Sequence, residues 1–132
     1  MKDPIGANLD RIQVIKGWVG KDGQTQERVY DVAVSGGRTI GADGRSRTSV
    51  GSTVDVANAT WTNTIGAGEM ITVWKDRDFD PALRAFYYVR VIEIPTPRWT
   101  AYDAKYFGIK MPAEVTMTTT ERAYTSPIWY TP

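Results

Sequence analysis

The chain has 132 residues, 42% of them hydrophobic, and its 16 basic and 15 acidic side chains leave a formal net charge of +1. That length fits one domain with a real core, and the near balance of charge gives no electrostatic ground for a nucleic-acid or membrane-surface partner. Histidine and cysteine are both absent, which removes the commonest general base and metal ligand, together with disulfides, thiolate catalysis and most zinc sites.

No apolar run approaches the roughly 20 residues that cross a bilayer. Met1-Lys2-Asp3-Pro4 leads into a mixed polar segment and does not predict a signal peptide. Residues 9–19 then read as a strand, with Ile12, Val14 and Trp18 on one face and Ile15 and Val19 on the other. Gly20-Lys-Asp-Gly23 supplies a turn, because Asp-Gly accepts positive φ readily. Alternation resumes over 27–35, so residues 9–35 predict a β-hairpin.

Periodicity disappears over residues 35–53, a loop rich in Gly, Ser, Arg and Thr. Arg38, Arg45 and Arg47 stand there beside several glycines, a composition that can hold a phosphate or a carboxylate. The plainer reading is a solvated surface loop. Residues 54–65 are Thr-rich and fit either a strand or irregular chain, whereas Glu69–Trp74 alternates as a strand should. Asp80 before Pro81 looks like an N-cap with proline at the first helical position, predicting one short helical turn.

Phe86-Tyr-Tyr-Val-Arg-Val-Ile-Glu-Ile94 is the densest run of aromatic and β-branched residues, and Pro95 and Pro97 close it. Both of its faces are mostly apolar, so it predicts an inner strand with cover on each side, paired antiparallel with 69–75. Thr100 and Asp103 have capping-box spacing, and a helix over about 101–107 would end at Gly108. A last Thr-rich strand follows over 114–125, and Ile128 and Trp129 of the aromatic tail are expected to dock on the sheet.

Few constellations carry chemistry. Asp76, Asp78 and Asp80 alternate along one loop as hard-cation ligands can, but without the glycine and distal Glu of a calcium loop, so an N-capping structural loop is the better reading. No feature pairs Glu69, Glu93 and Glu121 as the two acids of a glycosidase. Trp61, Trp99, Tyr102 and Tyr106 are the candidates for stacking on sugar rings, weighed against the commoner role of aromatics in cores and domain interfaces.

Three stretches carry a resemblance: Gly6–Trp18, Arg84–Trp99 and Glu121–Tyr130. Together they resemble the C-terminal region of a bacterial family of uncharacterised proteins, whose fuller members look like metal-dependent hydrolases of the polymerase-and-histidinol-phosphatase type. The resemblance implies metal ligands, histidines and acids, in an N-terminal domain. This chain has no histidine, so no metal site or catalytic residue carries over to it. Its implication is the C-terminal part of a larger protein.

The expectations are therefore an all-β domain, an immunoglobulin-like antiparallel β-sandwich with one or two short helical turns, over residues 1–132. Its expected function is that of a non-catalytic module packing on, and supporting, a hydrolase domain outside the chain. No cofactor is expected. Self-association through an exposed interface or an unpaired edge strand is a further expectation. The alternative is an independent carbohydrate- or ligand-binding sandwich, and an enzyme working with only Asp, Glu, Tyr, Lys or Arg ranks third.

Overall fold

In the computed structural model, which describes all residues from Met1 to Pro132, the chain is mostly β with one short helix. The predicted hairpin forms as β1 (Leu9–Val19) and β2 (Thr25–Val34), antiparallel, with Gly20 N–H bonded to the Gln24 carbonyl across the turn. The rich aromatic run forms β3 (Ala85–Glu93). After it come β4 (Thr96–Pro97), α1 (Trp99–Phe107), β5 (Thr118–Thr119), β6 (Arg122–Tyr124) and β7 (Ile128–Tyr130).

A five-stranded antiparallel sheet runs in the order β2-β1-β3-β6, with β7 on the same edge of β3, while β4 and β5 form a separate two-stranded sheet. β3 is an inner strand, as its composition predicts, but its neighbours differ from the expected ones. It pairs with β1 from Leu9↔Glu93 to Trp18↔Ala85, and residues 69–75 form no strand at all. The reason lies at Asp76: its carboxylate bonds to Lys16 on the sheet face, so the preceding chain passes over the sheet instead of lying within it.

Cover over β3 is partial: Ala85 is buried and every residue from Phe86 to Glu93 is half-buried. Buried positions are few, 18 of 132, and the only large side chains fully enclosed are Ile15 and Ile94. Each contributes about 1.5–3 kcal/mol by leaving water. Such a core is thin for a chain of this length.

At the Asp80–Pro81 junction there is a turn and no helix: Asp80 Oδ1 accepts the Ala82 N–H and its carbonyl accepts the Leu83 N–H. The helix is present and ends at Gly108 in the left-handed conformation, φ 64°. It starts two residues before the expected position, so Arg98 occupies the N-cap with no side-chain cap, and Thr100 Oγ1 donates instead to the Thr116 carbonyl. The single Thr-rich strand expected over 114–125 is split, Thr118–Thr119 pairing with β4 and Arg122–Tyr124 with β3. The tail docks through its backbone, Ile128 opposite Tyr87 and Trp129 opposite Phe86, yet both side chains stay largely in solvent.

Candidate functional site

The two faces of the large sheet differ in kind. One face carries Val14, Lys16, Tyr30, Tyr87 and Val89, and the loop 74–80 lies on it. Lys16 Nζ donates to Asp76 Oδ2 at 2.6 Å and to the Asp78 carbonyl at 2.8 Å, and Tyr87 Oη donates to the same Asp76 oxygen at 2.7 Å. Trp74 packs its ring 5.0 Å from Tyr30 and 6.5 Å from Tyr87. Burial works to raise the Asp76 pKa, but the hydrogen bonds from Lys16, Tyr87 and the Asp78 amide hold it below the ordinary carboxylate value. Burial, and then the bond to Asp76, push the Tyr87 hydroxyl well above its ordinary range.

The three aspartates of this loop do not converge. Asp76 is engaged by Lys16 and Tyr87, Asp78 by Arg28 at 2.8 Å and Tyr30 at 3.3 Å, and Asp80 by Lys21 at 3.4 Å. No group of three or more acidic side chains is placed to hold a metal ion. These carboxylates tie the loop to the sheet.

The loop arginines separate as well. Arg38 is buried against the chain: Nε donates to the Ser35 carbonyl, Nη1 to the Thr48 carbonyl, and Nη2 to Asp10. Its donors are consumed in pinning the loop to β1. Arg45 lies 3.7 Å from Asp31, and Arg47 pairs with Asp43 at 2.6 Å in solvent. No shared anion cradle results.

A second buried network crosses the sheet. Arg90 donates twice to Gln13 Oε1, Gln13 Nε2 donates to Asp31 Oδ1 at 2.6 Å, and Asp31 Oδ2 accepts from the Ser46 N–H and Arg11. Asp10 and Asp31 are thus matched by Arg11 and Arg38, and every buried side-chain nitrogen and oxygen except Ser46 Oγ has a partner. A satisfied network of this kind holds strands and loop in register.

The other face of the sheet carries the enclosed Ile15 and, over it, an aromatic row that opens to solvent at its ends. Phe86 and Tyr88 alternate on β3, so both project from it. Their rings stack at 6.5 Å with planes 9° apart. Trp129, opposite Phe86 on β7, sits 5.2 Å from it, and Tyr124 on β6 sits 6.2 Å from Tyr88. The result is a row, Trp129–Phe86–Tyr88–Tyr124, whose ends are 73% and 55% exposed. Beside it, a cleft of about 600 Å³ is lined by Gly17, Trp18, Glu27, Arg84, Phe86 and Trp129, among others.

Of the aromatic candidates read from sequence, Trp99, Tyr102 and Tyr106 fall on one stripe of α1 and are exposed, while Trp61 lies apart in irregular chain. Phe86, Tyr88, Tyr124 and Trp129 were not among those candidates. The alternation of Phe86 and Tyr88 was visible, but only the register of β6 and β7 against β3 completes the row.

Residues 1–132 match a protein family described as "Protein of unknown function (DUF3604)". No curated protein and no solved structure matches the chain.

Proposed function

The chain belongs to this uncharacterised family over its whole length, and on that premise we propose that it is a non-catalytic module which packs on, and supports, a metal-dependent hydrolase domain outside these residues. The observation that carries the reading is the aromatic row Trp129–Phe86–Tyr88–Tyr124, whose end rings stand open to solvent on a chain with few buried residues. Interfaces concentrate aromatic anchors of this type, and sheet faces left open are costly in water. The finer fold reading belongs to the same proposal: the five-stranded sheet is one layer of an immunoglobulin-like sandwich, and β4 and β5 begin the second. The hydrolase identity of the neighbouring domain rests on the sequence resemblance alone.

Reading the coding DNA upstream of Met1 tests this. An in-frame stretch rich in His and Asp at metal-ligand spacing is the expected result. A stop codon and ribosome-binding site there would contradict it.

A second reading has its own observation. Trp99, Tyr102 and Tyr106 expose rings along one helix stripe, a platform on which a sugar face can stack. Titration of tryptophan fluorescence with oligosaccharides, compared between the wild-type chain and Trp99→Ala, decides it. A saturable change lost in the variant supports glycan binding, and a flat titration removes it.

A further inference from the structure

Glu69-Met-Ile-Thr-Val-Trp-Lys75 is composed as a strand and belongs to no ladder. Its flanks are fixed: Ala67 and Leu9 exchange backbone hydrogen bonds, and Asp76 holds Lys16. Leu9 and Lys16 are about 24 Å apart along β1 at the rise of a strand. Bridging that span leaves the intervening chain nearly extended, since a helix would cover only about half the distance. None of its backbone N–H or C=O groups bonds to another backbone group. Ile71 and Val73 are 96% and 99% exposed, on the same side of the segment.

An extended run of free donors and acceptors flanked by open β-branched side chains is a template for one more strand. The residue order selects which strand. Laid antiparallel against a second copy of itself, with a two-fold axis through Thr72, the segment sets Glu69 opposite Lys75, Met70 opposite Trp74, Ile71 opposite Val73, and Thr72 opposite Thr72. Every opposed pair is then favourable: acid with base at both ends, apolar with apolar inside them, hydroxyl with hydroxyl on the axis. Each position meets its complement because the segment is charge-antisymmetric about its centre, as an isologous contact requires.

We propose that Glu69–Lys75 is a homodimerisation strand, pairing antiparallel with the same segment of a second copy about Thr72. This surface is distinct from the aromatic row, and the inference does not rest on the accessory-module reading.

Sedimentation equilibrium of the full chain tests it. The wild-type chain dimerises in the micromolar range. Glu69→Lys and Lys75→Glu each set like charges opposite one another at both ends and weaken the dimer about tenfold. An equimolar mixture of those two variants, and the double variant Glu69→Lys/Lys75→Glu, both recover the wild-type affinity, because opposite charges again face each other. Register is read separately, since the chain has no cysteine of its own. Under mild oxidation Thr72→Cys cross-links two copies across the axis, whereas Lys75→Cys places its thiols about 20 Å apart and does not. A wild-type chain still monomeric at millimolar concentration overturns the proposal. So does a dimer indifferent to both single charge variants, or one in which Thr72→Cys fails to cross-link or Lys75→Cys cross-links equally.

Discussion

The Phe86 ring lies directly across Gly17: a Cβ on Gly17 would stand 2.4 Å from Phe86 Cε1 and Cζ. The two residues are opposed on β1 and β3. Only the missing side chain lets the ring rest on the sheet, where it meets both Tyr88 and Trp129. The aromatic row therefore depends on one glycine.

Gly17→Ala drives the Phe86 ring off that position. The chain still folds, because the ring is the end of a side chain and can swing away, but it loses about 1–3 kcal/mol, the usual cost of overpacking. Urea unfolding reads the loss. A variant as stable as wild type would mean the ring does not depend on that gap.

The buried Lys16–Asp76 pair joins β1 to the loop 74–80, with side chains only 5% and 8% exposed. Asp76→Ala strands the Lys16 charge and destabilises by about 3–5 kcal/mol. Lys16→Met/Asp76→Leu costs less than Asp76→Ala alone, since no unpaired charge remains. The pH dependence follows from the lowered Asp76 pKa. Its stabilisation is complete above the unfolded carboxylate value of 3.8 and is lost as pH falls through the lower folded value. Wild type and Asp76→Asn therefore converge in stability on acidification, as urea titrations at pH 6 and pH 2.5 would show.

Glu93 behaves with the opposite sign. Burial, and then the neighbouring Glu121, raise its pKa above the ordinary 4.5. The native chain then holds a proton that the unfolded chain releases, so stability falls as pH rises from 4.5 through the folded value. Glu93→Gln is expected to raise the melting temperature at pH 7 and to leave it unchanged at pH 4.

Gly66 sits at φ +77°, and a Cβ there would lie 2.7 Å from both Asn8 Cβ and Ile94 Cγ2 and 3.0 Å from the Leu9 carbonyl oxygen. Here neither neighbour can swing away, as Ile94 is fully buried and Asn8 is bonded to Asn63 and Ile65. Gly66→Ala combines backbone strain with that overlap and costs about 2–4 kcal/mol. Circular dichroism on heating would show the drop in melting temperature.

Local signals were legible in the sequence. Alternation around Asp22-Gly23 gave the hairpin, the two prolines ended β3, and Gly108 stopped the helix. What alternation does not encode is partnership. Glu69–Lys75 has the pattern of a strand, yet Asp76 lifts it off the sheet through an ion pair with a residue 60 positions away. In the same way, nothing local says that the row containing Phe86 and Tyr88 ends in exposed rings at Trp129 and Tyr124. Arg38 looked free for an anion because the turn that brings it to Asp10 leaves no periodic trace.

Cover of the aromatic row by the hydrolase domain proposed to neighbour it is measured directly by hydroxyl-radical footprinting of the chain, alone and mixed with that domain. Trp129 and Tyr124 are expected to be oxidised readily in the isolated chain and to become protected in the mixture, while Trp99 and Tyr106 on α1 are oxidised equally in both. Unchanged oxidation of Trp129 and Tyr124 in the mixture would contradict it.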